Sequence, residues 1–135
     1  MHVLATRYHV TRYNAVGHSS GGNIIFDYLT AQVTHPAQIH KFVTIGSTYP
    51  GLTTAVLSRL PRQLPILNIC GQIWQTKGDG GGNLQAVLRF SHQLQHAGWQ
   101  PHTKISHGGP LTASHSMLHI NPQVDLLLIK FLYPN

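Results

Sequence analysis

The chain has 135 residues, 41% of them hydrophobic, which suits one domain with a real core, and no apolar run reaches the length of a membrane span. Nine Lys/Arg against three Asp and no Glu give a net charge of +6, but the basic residues are scattered from Arg7 to Lys130 with no run or basic helix, which argues against a nucleic-acid-binding protein. The single cysteine, Cys70, excludes an internal disulfide, and its place at the end of an apolar run marks a buried, inert thiol.

In chain order, residues 1–10 resemble the tail of a helix (Val3, Leu4, Tyr8) and show no apolar core with a small-residue cleavage site, so no signal peptide is visible. Tyr13–Val16 is the first predicted strand. It enters Gly17-His18-Ser19-Ser20-Gly21-Gly22 and leaves as a helix over about Ser20–Ala31, with Ile24, Ile25, Tyr28 and Leu29 at helical spacing. His35-Pro36 breaks the chain. Lys41–Ile45 is a β-branched strand closed by Gly46, and Ser47–Pro61 is loop with a short helix at Thr54–Leu60. Pro65–Cys70 is a third strand, ended by Gly71, and Gln72–Gly82 is a polar, glycine-rich loop. Asn83 caps a helix running to about His96, with Gly98 placed as its C-terminal glycine. His102–Ser106 reads as an edge strand and His107–Ile120 as loop. Asn121-Pro122 opens a last helix with an apolar stripe of Val124, Leu127, Leu128 and Phe131. Strands alternating with helices imply one α/β domain with a parallel sheet and right-handed crossovers, without repeats or linkers.

Gly17-x-Ser19-x-Gly21 within a strand–turn–helix frame fits the nucleophile elbow of α/β-hydrolases, in which the serine stands on a strained turn above the helix N-terminus. The flanking glycines are expected there because side chains would clash where strand and helix cross. A serine hydroxyl needs a histidine to take its proton and a carboxylate to orient that histidine. In this fold the order along the chain is Ser, acid, His. Asp79 lies in the loop after the second strand beyond the elbow, where the acid belongs. Asp27 lies two turns down the elbow helix and Asp125 in the first turns of the last helix, where its charge suits the dipole. Of the histidines after the last strand, His107 is at the strand end, His119 abuts Asn121, and His115 sits mid-loop, able to swing over the sheet edge. His92 and His96 are four apart on one helix face, a spacing that can hold a metal, but lack a third ligand or nearby carboxylate and read as a solvated face. No metal or cofactor is expected. His18 is expected to pack or line the pocket rather than act as the base.

GHSSGG at 17–22, FVTIGSTYPG at 42–51, LPILNICG at 64–71, Asp79-Gly80 and HSMLHINPQVDLLLIKFL at 115–132 resemble bacterial α/β-hydrolases described as cell-surface hydrolases of unknown substrate, themselves similar to lipases and esterases. The resemblance runs from about Tyr13 to the C-terminus. It implies Ser19 as nucleophile, Asp79 as acid, His115 as base and the Ser20 N–H as one oxyanion-hole donor. Resembling proteins are often exported or at the cell surface, while the sequence itself leaves the localisation unknown; the resemblance also implies a further N-terminal half ahead of the elbow strand, so that the chain reads as the C-terminal half of the fold. Ser20 departs from the larger apolar residue usual at that position.

Three functions follow: a serine hydrolase acting on a small-molecule ester or related acyl bond; a weakly active or inactive hydrolase-fold remnant serving as an interaction module; and a basic, His-rich binding protein. With no strand ahead of it, Tyr13–Val16 is expected to be an unprotected sheet edge open to self-association.

Overall fold

The computed structural model describes residues 7–31 and 38–134. The predicted break at His35-Pro36 and the first six residues of the predicted helical tail lie outside them, while Arg7 and Tyr8 are helical. Four parallel strands form one sheet in the order β1 (Arg12–His18), β2 (Gln38–Ile45), β3 (Ile66–Ile73), β4 (His102–Gly108). Between them run α1 (Ser20–Thr30), α2 (Thr54–Leu57) and α3 (Leu84–His96). After β4 come α4 (Pro110–Ala113), a 3₁₀ turn (Leu118–Ile120) and α5 (Pro122–Leu132).

Both central strands are buried on both faces, which explains their near-continuous apolar sequences. One face carries Phe42 and Ile66 against Phe26 of α1, Leu57 and Leu60 of the α2 region, and Phe90 and Leu94 of α3. Tyr49 stacks on Phe90 at a centroid distance of 4.1 Å and donates its hydroxyl to Thr44 Oγ1 at 2.7 Å, tying the loop after β2 into this layer. The other face carries Val43, Ile45, Leu67 and Ile69 against Leu118 and Val124, with the predicted stripe of Leu127, Leu128 and Phe131 packed beside them. Lys41 Nζ donates to the carbonyls of Phe131 and Leu132 at 2.7 and 2.8 Å, placing a cation on the C-terminal end of α5, where the helix dipole favours it.

The predicted caps form. Asn83 accepts from Gln85 N–H and Asn121 from Gln123 N–H, each at 2.8 Å, and Gly98 takes φ +93 after α3. Two local expectations are corrected. Gly71 does not end β3, which continues to Ile73. A Cβ at Gly71 would stand 2.6 Å from the Ala113 carbonyl and 2.8 Å from Asp79 Cβ, so the glycine is there to let chain pass close over the strand. The short helix ends at Leu57 rather than Leu60. The fully buried residues of α1 are Gly22, Phe26 and Thr30; of the apolar residues at helical spacing, Ile25, Tyr28 and Leu29 pack partly buried against the core and Ile24 is exposed. As expected, β4 is an edge among the described residues. Among the described residues β1 pairs only with β2, and Val16 is exposed on it.

Candidate active site

The carboxyl ends of the strands gather the chemistry-bearing residues. At the end of β1, Ser19 has φ 55 and ψ −127, a left-handed conformation that costs a non-glycine residue of order 1–3 kcal/mol. Its neighbours hold it there. Ser19 N–H donates to the Ile45 carbonyl at 2.9 Å, and Ser47 Oγ donates to the Ser19 carbonyl at 2.7 Å, so both sides of the turn are fastened to the end of β2. Close crossing of β1 and α1 requires Gly17, where a Cβ would meet Gly22 N at 2.5 Å and Gly21 C at 2.6 Å. It equally requires Gly22, where a Cβ would meet Ser47 Oγ and Thr44 Oγ1. Gly21 departs from the expectation for the flanking glycines: nothing lies within 4 Å of a Cβ there.

Asp79 and His115, 36 residues apart, are in contact. His115 Nδ1 lies 2.9 Å from Asp79 Oδ2, and His115 N–H donates to the Asp79 carbonyl at 2.7 Å. The other carboxylate oxygen, Oδ1, accepts from Gly81 N–H at 2.9 Å and Gly82 N–H at 2.7 Å. Asp79 is 1% exposed, so burial and three donors leave its carboxylate one orientation. A carboxylate accepts, so the His115 Nδ1 carries the proton of this contact, and in the neutral ring Nε2 is the nitrogen with the lone pair. Two glycines make room for the pair. A Cβ at Gly81 would overlap His115 Cγ, and one at Gly46, which has φ +60, would lie 3.0 Å from Asp79 Oδ2 and 3.1 Å from His115 Nδ1.

His18, the residue before the serine, reaches the same loop. Its Nε2 is 2.7 Å from the His115 carbonyl oxygen, and its ring lies 4.7 Å from that of His115 and 5.0 Å from that of His119. Burial lowers its pKa below the ordinary histidine value, and the neighbouring His115 and His119 rings act in the same direction.

Of the predicted residues, Asp79 and His115 are thus brought together. Ser19 and Ser20 stand at the turn into α1, fastened to β2 one residue before Gly46. No hydrogen bond joins Ser19 Oγ to His115 among the described residues. His107 is exposed on β4, and His92 and His96 are exposed on α3. Among the described residues no three His, Cys, Asp or Glu converge as a metal site. Sequence reasoning missed Gly81, Ser47 and the reach of His18. Only Gly81 left a signal, as the middle of a three-glycine run directly after the chosen acid.

Residues 1–59 match the family described as "Alpha/beta hydrolase of unknown function (DUF915)". The whole chain superposes on 63% of the Listeria innocua lin2722 gene product, with a TM-score of 0.85 and 20% identity. It also superposes, over 92% of its length, on 54% of a predicted CIB-like hydrolase from Thermoplasma acidophilum, with a TM-score of 0.53 and 12% identity. No curated protein matches it. The sheet and crossovers are therefore those of the α/β-hydrolase fold, and the chain spans less than two thirds of either neighbour.

Proposed function

We propose that this chain, built on the α/β-hydrolase fold, carries a serine hydrolase site for ester or related acyl bonds, with Ser19 as nucleophile, His115 as general base and Asp79 as the acid that orients it. The observation that supports this best is the 2.9 Å contact of His115 Nδ1 with the buried Asp79 carboxylate, at the same sheet end as a serine strained to φ 55. With Nδ1–H given to Asp79, the Nε2 lone pair is free to take the Ser19 proton as Oγ attacks the acyl carbon. The Ser20 N–H, in the first turn of α1, faces the oxyanion that forms, aided by the positive end of the helix dipole. His115 then returns the proton to the leaving alcohol, and water repeats the cycle on the acyl-enzyme. Removing one oxyanion donor from such a site costs about 10²–10³ in rate.

A fluorophosphonate probe followed by peptide mass mapping tests the assignment, alongside hydrolysis of p-nitrophenyl acetate. The adduct is expected on Ser19 and is lost in Ser19→Ala. His115→Ala slows labelling by about 10²–10⁴, the usual contribution of a general base. Labelling or hydrolysis that survives Ser19→Ala overturns the proposal. The absence of a Ser19–His115 hydrogen bond among the described residues favours a second reading, a hydrolase-fold module with residual reactivity. Labelling of Ser19 without ester turnover would select it.

A further inference from the structure

We infer that His18 is the positioning residue that locks the His115 loop onto the elbow, by donating its Nε2–H to the His115 carbonyl oxygen. The inference rests on the serine-hydrolase reading of the same site and concerns how its base is held. His115 lies in the connection between β4 and α5, away from any regular strand. Its backbone N–H and its ring are both tied to Asp79, at 2.7 and 2.9 Å. Those two tethers fix the base relative to the end of β3 and leave it unregistered against the serine. The third tether, from His18 at 2.7 Å, comes from the nucleophile's own strand. His18 is paired with Ile45 in the ladder and immediately precedes the fastened Ser19 turn, so its side chain starts from a rigid point. It therefore spans 97 residues of sequence to join the two halves of the catalytic pair.

The choice of residue type follows from the bond. A carbonyl oxygen only accepts, so His18 Nε2 must carry hydrogen, and the neutral ring leaves Nδ1 as a bare acceptor. Burial favours that neutral form. Neutrality matters because the two rings lie 4.7 Å apart: a cationic His18 would oppose the imidazolium that His115 becomes when it takes the serine proton. Phenylalanine would fill the same space without the donor. Glutamine places an N–H at the same number of bonds from Cα, so it keeps the donor without the charge.

The test compares wild type, His18→Phe and His18→Gln, using fluorophosphonate labelling of Ser19, hydrogen exchange of the His115 backbone amide and imidazole nitrogen NMR. In wild type, the His18 nitrogen shifts should report Nε2–H with Nδ1 unprotonated; an Nδ1–H tautomer overturns the inference whatever the variants do. His18→Phe should slow labelling by about 10- to 10²-fold, the scale of a misplaced catalytic group, and speed His115 amide exchange at least about 10-fold. His18→Gln should restore both. His115 exchange unchanged in His18→Phe, or a defect that glutamine does not repair, overturns the inference. A wild type that never labels at Ser19 removes the hydrolase reading instead, and the tautomer and exchange results still decide the tether.

Discussion

Gly81→Ala isolates the placement of the proposed base, His115, from every other property of the site. Gly81 is exposed and has no left-handed φ, so alanine is allowed by the backbone itself. The obstacle is the His115 ring, whose Cγ would overlap the new methyl and whose Cδ2 and Nδ1 would stand 2.6 and 2.7 Å from it. Ordinary contact begins at 3.4 Å, so the ring must retreat by at least about 0.8 Å (3.4 less 2.6). A retreat of that size directed away from Asp79 would stretch the 2.9 Å Nδ1–Oδ2 contact to about 3.7 Å, beyond any hydrogen bond. His115 is 22% exposed on its side chain, so water can replace the lost partner, and Asp79 keeps its two glycine donors. The stability cost is therefore about 1 kcal/mol, a few degrees in Tm. The reactivity cost is larger, because a displacement near 1 Å at a catalytic group costs about 10²-fold. Fluorophosphonate labelling rates and a thermal melt on the same preparation measure both. Wild-type labelling by the variant would show that His115 does not act from its position against Gly81. A collapse of Tm with labelling lost in proportion would show that Gly81 supports the fold and not the base.

Gly22→Ala is expected to destabilise by about 1–3 kcal/mol, since its Cβ meets Ser47 and Thr44 side chains under the helix. Gly21→Ala, with nothing within 4 Å, should be neutral or stabilising by up to about 1 kcal/mol, and urea unfolding of the two variants should separate them. Burial pushes the Cys70 thiol up to about 12, so it should resist a thiol reagent at pH 8 until urea unfolds the chain. The unfolded thiol releases its proton near pH 9 while the folded one keeps it, so this contribution is intact below pH 9 and is lost as pH rises from about 9 to 12, at about 1.4 kcal/mol per unit. Denaturant midpoints of wild type and Cys70→Ala, compared across that range, should converge as pH rises. Finally, β1 pairs on one side only among the described residues, with Val16 43% exposed, and is proposed as a self-association edge. Val16→Lys should shift concentration-dependent light scattering toward monomer, and a wild type that stays monomeric at high concentration would refute it.

The sequence by itself determined the elements whose causes are local. Asn83 and Asn121 are legible as caps because the residue that supplies the oxygen lies two positions from the amide it satisfies. The strand–turn–helix around Ser19 is legible because Gly17-x-Ser19-x-Gly21 and the apolar spacing after it fall within one turn and one helix. Asp79 was within reach for a compositional reason: with three carboxylates in the chain, position leaves one at the end of the right strand. What the tertiary structure alone decided is everything that depends on two distant segments meeting. The mid-loop place of His115 and the resemblance single it out from His107 and His119, but only the folded loop shows its ring 2.9 Å from Asp79. Gly71 looks like a strand terminator until Ala113 and Asp79 are seen against it, and Gly81 looks like loop slack until the His115 ring fills the space where a side chain would be. A glycine's own preferences are written in its residue; the reason a side chain is forbidden there belongs to its neighbour, and that neighbour is 34 residues away from Gly81 and 42 from Gly71.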